Sequence, residues 1–504
     1  MASLTRVSVW EEGKTMHNQD FPDRPKEKFV FVQASDFIHD AKFETQPVGY
    51  FKDAWNRFKK NASSVVAAVI IVLLILFAVL TPMFATYEMS FTDSYYTFVT
   101  PKSAFLSRFG IWDGCQERTV NQQTYDYYSA AGAIVKVKDS YEMTEHGRSN
   151  VYYDVVLDNY RAVGYVYLNL SVAEYEAALA YQEESGVQLF HPMIDLSQIQ
   201  QETNQSNANY WFAHNKKGVA QRDGQDALVP IYKSDETSPD GLAYYTMKMN
   251  GNQYQVRVYY YDWFTYKNGQ EPAFLFGTDS MGHDILTRLA SGARFSLLLS
   301  LVVSTLNLLI GTVYGAIEGY YGGKVDMVME RIVDVLYSIP TMVLFSLIQL
   351  RWGKDLGVAG ALLLSFVLTG WISVASTVRA QFYRYKGQEY VLAARTLGAK
   401  DSRLIARHIL PNALGTIVTS CVLMVPSVIF TESTLSYLGV LVLDTANLTS
   451  VGTMLSNAQS SLSNYPHAIF FPALFISLMM ISFNLFGNGL RDALNPSLRG
   501  SEDL

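Results

Sequence analysis

The sequence predicts an α-helical polytopic membrane protein: six transmembrane helices, with a large α+β extracytoplasmic domain inserted between helices 1 and 2. Three observations carry this. Apolar runs occur near 62–84, 295–317, 330–350, 357–377, 413–433 and 467–488, each about 20 residues or more and so long enough to cross roughly 30 Å of hydrocarbon. Apolar residues make up 49% of the chain, yet the mean hydropathy is only +0.08, so spans and polar regions must be segregated. Finally, the segment 86–275 between the first run and the second holds about 190 residues, too many for a connecting loop and enough for a core of their own.

The first run follows a long, mostly polar segment and lacks a small-residue cleavage site, so it reads as an anchor and not a removable signal. Arg57, Lys59 and Lys60 flank it, which places the N-terminus in the cytoplasm. Six alternating spans then bring Lys324, Arg331, Arg379, Arg384, Lys386, Arg395, Lys400, Arg403, Arg407, Arg491 and Arg499 to the same side. The chain divides into a cytoplasmic segment 1–49, an amphipathic lead-in with helix 1 (50–85), the outer insertion (86–275), a membrane core (276–490) and a cytoplasmic tail (491–504). The insertion holds 14 Lys+Arg against 23 Asp+Glu, while the whole chain carries a net −7. The acidity therefore belongs to the outer domain.

Within the insertion, Ser171 and Glu174 form a capping-box pattern ahead of an alanine-rich helix reaching about Glu184. Asn250-Gly251 lies between alternating, tyrosine- and valine-rich segments, a hairpin signal. The segment Asn204 to Tyr210 reads either as a recognition surface or as loop. Cys115 and Cys421 fall on different sides of a hydrophobic stretch, which argues against an intrachain disulfide. His146, His191 and His214 lack zinc-site spacing and read as surface or hydrogen-bonded structural residues.

Two spans carry stripes of small residues. Ser296, Ser300, Ser304, Gly311, Gly315 and Gly319 line one side of the second; Ala361, Ser365, Thr369 and Ser373 repeat the pattern in the fourth. Close helix packing and a polar translocation path are both compatible with them. Asp334 in the third span and Glu432 near the outer end of the fifth must face protein or water, since an ionised side chain at a helix centre costs about 2.5–3.5 kcal/mol. The candidate path residues are thus Ser300, Ser304, Asp334, Ser365, Thr369, Ser373 and Glu432. Pro340 and Pro426 should kink their helices.

The loop 378–412 is the most informative stretch. Its core, EYVLAARTLGAKDSRLIARHILP (Glu389 to Pro411), begins with good helix formers around the small pair Ala393 and Ala394. Gly398 supplies a helix stop, Asp401 and Ser402 can cap a second helix, and Pro411 closes it. A helix, a glycine corner and a second helix should lie across the membrane face.

Ala393, Ala394, Gly398, Leu410 and Pro411 resemble the EAA loop of ATP-binding-cassette (ABC) importer permeases. GTDSMGHDILTRLASGARFSL (Gly277 to Leu297), GYYGGKVD (Gly319 to Asp326), TESTLSYLG (Thr431 to Gly439), FNLFGNGLRDALNP (Phe483 to Pro496) and YFKDAWNRFKKN (Tyr50 to Asn61) are similar to the C-type permease of dipeptide, oligopeptide and nickel importers. The resemblance covers about 50–90 and 274–500 and skips the insertion. Leu392 stands where the family usually has the glutamate that names the loop, and His283 replaces a common arginine.

The resemblance implies a permease subunit in a bacterial cell membrane, forming half of a translocation pathway for oligopeptides or dipeptides. It implies a homologous second permease, two ATPase subunits and an extracellular substrate-binding protein, and assigns ATPase coupling to Glu389, Ala393, Ala394, Arg395, Gly398, Arg407 and Pro411. The chain has no G-x-x-x-x-G-K-[ST] loop, so ATP and Mg²⁺ are expected on the partner ATPases and no cofactor on this chain. No nucleophile elbow or H-E-x-x-H pair points to catalysis, and no nucleic-acid partner is expected. An importer of nickel or another small solute is an alternative. So is a membrane sensor whose outer domain binds a signal peptide.

Overall fold

The computed structural model describes residues 50–145, 148–199, 206–215, 219–445 and 448–494, nearly all in the second of two units, Ala54–Leu504. The segment 1–49, His146, Asn204 and Arg499 lie outside the described residues. Helix α1 (Tyr50–Lys60) leads into α2 (Ala62–Phe84), whose first turn is capped by Asn61. After an α+β region that ends in α5 (Tyr260–Asn268) come α6 (Ile285–Tyr321), α7 (Gly323–Tyr337), α8 (Thr341–Tyr385), α9 (Glu389–Thr396), α10 (Asp401–Arg403), α11 (Leu410–Tyr437), α12 (Val451–Ala458) and α13 (His467–Leu494).

Among the described residues five helices are long and apolar enough to cross a membrane: Ala62–Phe84, Ile285–Tyr321, Thr341–Tyr385, Asp401–Tyr437 and His467–Leu494. This corrects the expected boundaries of the third and fourth spans. The apolar run near 330–350 is divided, because Pro340 stands at the break between α7 and α8 and, lacking an N–H, cannot continue a helix from the preceding turn. Charged residues Lys324, Asp326, Glu330, Arg331 and Asp334 keep α7 itself too polar for a span. Within α8, Gly357 takes φ 68°, ψ 173°, so 341–356 and 358–385 are two helical halves joined at a non-helical glycine.

The directions of these helices follow from their contacts. Asn307 reaches the Phe366 carbonyl. A Cβ on Gly311 would lie 2.6 Å from the Trp371 carbonyl oxygen, one on Gly315 2.2 Å from that of Ala375, and one on Gly319 2.8 Å from that of Arg379. Residue numbers rise together, so α6 and the second half of α8 run parallel, backbone against backbone. Against them α7 runs the opposite way. Arg379 grips Asp326 and Glu330, while Val333 and Leu336 join Trp371, Ile372 and Ala375 in one apolar cluster. On the other side of α6, Ser296 pairs with Glu432, and the Ser304 carbonyl meets Cys421, so α11 is antiparallel to α6. Ser64 beside Leu485 and Phe77 beside Phe475 make α2 antiparallel to α13.

Between α2 and α6 the chain builds two antiparallel sheets. Strands β1 (Cys115–Asn121), β2 (Ile134–Glu145) and β3 (Arg148–Asp158) form the first in the order β1-β3-β2, with α3 (Gln122–Ala130) across it. Strands β4 (Tyr165–Ser171), β5 (Phe190–His191), β6 (Tyr245–Lys248) and β7 (Gln253–Tyr259) form the second, in which β7 pairs with the other three. The capping box is present at α4 (Val172–Ser185): Ser171 Oγ accepts from Glu174 N, and the Glu174 carboxylate accepts from Ser171 N. The β6–β7 hairpin turns at Asn250 and Gly251, both with positive φ. Asn209 is buried and structural, accepting from Tyr165 N and donating to Tyr127 Oη and the Val163 carbonyl. His214 is buried and within 3.2 Å of the Phe212 carbonyl. His191 is largely buried, and burial together with the neighbouring Arg257 pushes its imidazole down to about 4.

This region seats on the helices through an aromatic collar. Phe98 stacks on Tyr465 at 4.4 Å, Phe276 stacks on Phe471 at 4.0 Å, and Trp112 meets Phe471 edge-on. The segments entering and leaving this region are laced by Thr278, which accepts from Val99 N and donates to the Tyr96 carbonyl.

The close approach of α6 and α8 is directly testable. Gly315→Val should lower the melting temperature of the detergent-solubilised chain and reduce its monodisperse yield, by the equivalent of about 1–3 kcal/mol expected for overpacking. Gly224→Ala, where nothing lies within 4 Å of the added Cβ, should leave both unchanged.

Candidate functional site

The corner expected between two spans is present and exposed. Helix α9 is followed by its C-cap Leu397 and by Gly398, the latter at φ 80°, and Ala399 N donates back to the Ala394 carbonyl at 3.1 Å. This is a glycine-dependent helix stop of the predicted kind. The second arm departs from expectation. Lys400 is its N-cap and makes no side-chain cap, so Asp401 is the first helical residue and its carboxylate is bonded by Tyr320. Pro411 does not close this helix. The chain stays helical from Asp401 to Tyr437, passing through a π-helical turn at Leu404–Ile409 into α11. Pro411 occupies the first turn of α11, where its fixed φ suits a helix and the wide turn before it removes the need for its missing N–H.

The corner is held from its inner side. Val391 is fully buried in a cluster with Tyr320 of α6, Val378 and Phe382 of α8, and Leu404, Ile409 and Ala413 of the second arm. Its outer side is uncovered among the described residues. Glu389, Ala393, Arg395, Gly398, Arg407 and Pro411 are exposed and Ala394 is half-buried; Leu392 is 45% and Leu397 86% exposed. The expected coupling residues thus share one exposed corner, and its two exposed leucines lie outside the apolar cluster that buries Val391.

Polar contacts that the sequence did not single out fasten the corner to the membrane helices. Tyr320 Oη donates to Asp401 and accepts from Arg395 Nη2 at 3.2 Å. Lys386 Nζ donates to the Gly319 carbonyl at 2.8 Å, and burial pulls its ammonium below the ordinary lysine range. Just inside, Arg379 makes a bidentate pair with Asp326 at 2.6 and 3.0 Å and reaches Glu330 at 3.1 Å and Glu318 at 3.5 Å. Tyr383 Oη donates to Asp326 as well. The available signal was the i, i+4 spacing of Arg379 and Tyr383 opposite the Asp326 that ends GYYGGKVD.

The candidate path residues do not form one constellation. Glu432 is fully buried, accepting from Ser296 Oγ at 3.1 Å and Ser436 Oγ at 3.0 Å. Ser300 and Ser304 are buried on the same side of α6; Ser300 bonds the Leu297 carbonyl. Ser365 is buried and bonds its own helix at Ala361, Thr369 is half-buried, and Ser373 is exposed. Asp334 departs from the expected span interior: it is about half exposed on α7 and pairs with Arg331 at 2.8 Å. Of the two readings of the α6 stripe, packing accounts for the glycines, which lie against α8, while the serines lie against α11.

Two family models match the chain. The family described as "binding-protein-dependent transport system inner membrane component" matches 295–500, and "N-terminal TM domain of oligopeptide transport permease C" matches 49–101. Neither match covers 102–294. The oligopeptide transport system permease protein OppC of Bacillus subtilis (strain 168) is 46% identical over 224 residues, 44% of this chain and 72% of that protein. The dipeptide transport system permease protein DppC of the same organism is 42% identical, over 44% of this chain and 69% of its own length. OppC of Haemophilus influenzae is 40% identical, over 44% and 70%. The chain belongs to the inner-membrane permease family of ABC importers for oligopeptides and dipeptides and is a multi-pass membrane protein.

Proposed function

We propose that this permease forms half of a peptide pathway and is driven by separate ATPase subunits docking on the exposed corner 388–411. The observation that carries this reading is the corner itself: helix, left-handed Gly398 and helix, buried on one side through Val391 and bare on the other. ATP and Mg²⁺ belong to the ATPases, a homologous second permease completes the pathway, and an extracellular binding protein delivers substrate. Nucleotide-driven closure of the ATPases moves the corner and switches the permease pair between inward- and outward-facing states. Moving such an equilibrium from 1:99 to 99:1 needs about 5.5 kcal/mol of differential binding.

The chain crosses the membrane six times in this reading. Support comes from the parallel pairing of α6 with 358–385, since consecutive parallel helices require the segment between them to return across the same thickness. The antiparallel placement of α7 beside Trp371 and Arg379 fits that return. The basic residues around the corner favour the cytoplasm, which puts both termini there and the acidic insertion outside. The insertion sits beside the pathway mouth and serves as a docking surface for the binding protein or the partner permease.

Three outcomes test these statements. Ala394→Asp and Gly398→Asp should each abolish peptide uptake and weaken ATPase co-purification while membrane insertion stays normal; normal uptake in both removes the coupling role from this corner. Cysteines introduced at Asn150 and Pro230 should label with an impermeant thiol reagent on intact cells, and one at Ser402 only after permeabilisation; the opposite pattern reverses the orientation. Replacing 115–259 by a short flexible linker keeps Trp112 on α13 and Phe98 on Tyr465 just ahead of it. It should leave ATPase association intact yet weaken stimulation of ATP hydrolysis by the binding protein, and unchanged stimulation would eliminate the docking role.

A further inference from the structure

Tyr320 touches both arms of the corner through a single atom. It lies in the last turn of α6, is only 7% exposed, and its ring packs in the cluster that includes Val391, Leu404, Val378 and Phe382. Its hydroxyl accepts from Arg395 on the arm before Gly398 and donates to Asp401 on the arm after it. One residue earlier, the Gly319 carbonyl accepts from Lys386, just past the end of α8. The final turn of α6 is therefore bonded to the end of α8, to the first arm and to the second arm.

The chemistry suits a brace. A phenol donates one hydrogen bond while accepting another, and here its partners are a guanidinium and a carboxylate, so both bonds are charge-assisted. Buried apolar contacts fix each arm separately, Val391 for the first and Leu404 for the second. Such contacts have no direction and let a helix slide or rock. Between the arms stands Gly398, open to solvent with nothing within 4 Å of a Cβ, the position at which a push on α9 is most readily absorbed by backbone rotation. The Arg395–Tyr320–Asp401 relay spans that weak point.

We propose that Tyr320 is a positioning residue for transport: it ties the two arms of the corner to α6, so that displacement of α9 is passed to the membrane helices instead of being taken up at Gly398. This rests on the reading of 388–411 as the coupling element. Docking and bracing are separable, because the bare outer surface at Glu389, Leu392 and Leu397 contributes nothing to the relay.

The test uses Tyr320→Phe, which keeps the ring and removes both hydrogen bonds, in the complex with partner permease and ATPases reconstituted into proteoliposomes. ATPase subunits should co-purify as with the native chain and ATP hydrolysis should persist, while peptide imported per ATP hydrolysed falls at least about fivefold, the lower end of common coupling energies between sites. Asp401→Ala should fall likewise, and Asp401→Asn, which keeps an acceptor oxygen, should retain most of the ratio. Hydrogen–deuterium exchange on the purified full chain gives a readout independent of transport: Tyr320→Phe should speed exchange on both arms, 389–396 and 401–403, and leave α12 unchanged. An unaltered ratio, a ratio lost only together with ATPase binding, or unaltered exchange on either arm overturns the brace. Failure of the native complex to import any peptide counts instead against the transport reading, and the exchange measurement still judges the brace.

Discussion

Everything else in the membrane core depends on how closely α6 and the second half of α8 can approach. Lipid chains are as apolar as leucine, so helices in a membrane gain little from hiding apolar surface against each other and must associate through close contact and hydrogen bonds. Gly311, Gly315 and Gly319 remove the side chains that would hold α8 away; the Ala375 carbonyl would lie 2.2 Å from a Cβ on Gly315. The pair is parallel, and that fact organises its surroundings. The chain must travel back between the two helices, which it does through the charged helix α7 and the short apolar half 341–356, with Pro340 and Gly357 at the two breaks.

A polar layer then closes the end of this pair nearest the corner. Arg379 gathers Asp326, Glu330 and Glu318 from α7 and α6 at the same level where Gly319 meets α8. Glu318 is the buried member of this set, and removing Arg379 would leave its carboxylate uncompensated, which is far more destabilising than the pair is stabilising. Immediately below, the corner of α9 and α10 takes up the remaining face through Val391 and Leu404. The exposed corner is thus built on the most constrained part of the core, and motion imposed there has a rigid element to act on.

The opposite end is assembled differently. The α+β region contacts the helices through flat aromatic stacking, Phe98 on Tyr465 and Phe276 on Phe471, with few polar ties to α13. Aromatic faces of this kind give large contact area with loose angular demands. Buried Glu432, by contrast, has its oxygens satisfied by hydroxyls and not by a cation. It joins α6 and α11 near the end at which the insertion sits.

The sequence by itself determined what rests on local chemistry. Apolar length marked the helices of the core, Ser171 and Glu174 marked the start of α4, Asn250-Gly251 marked the β6–β7 turn, and Gly398 marked the corner, because each signal acts on residues a few positions away. It also carried the family, through motifs whose spacing needs no fold to be read. Only the tertiary structure decided where helices end when breakers compete with apolar runs: Pro340 splits one run, whereas Pro411 is absorbed by a π turn and splits nothing. It alone showed that the glycines of α6 face α8 and the serines α11, since a stripe on one helix does not name its partner. The Tyr320 brace and the Arg379 cluster join residues some 50 to 80 positions apart, and pairings at that distance are fixed by which helices are neighbours, information that no local pattern contains.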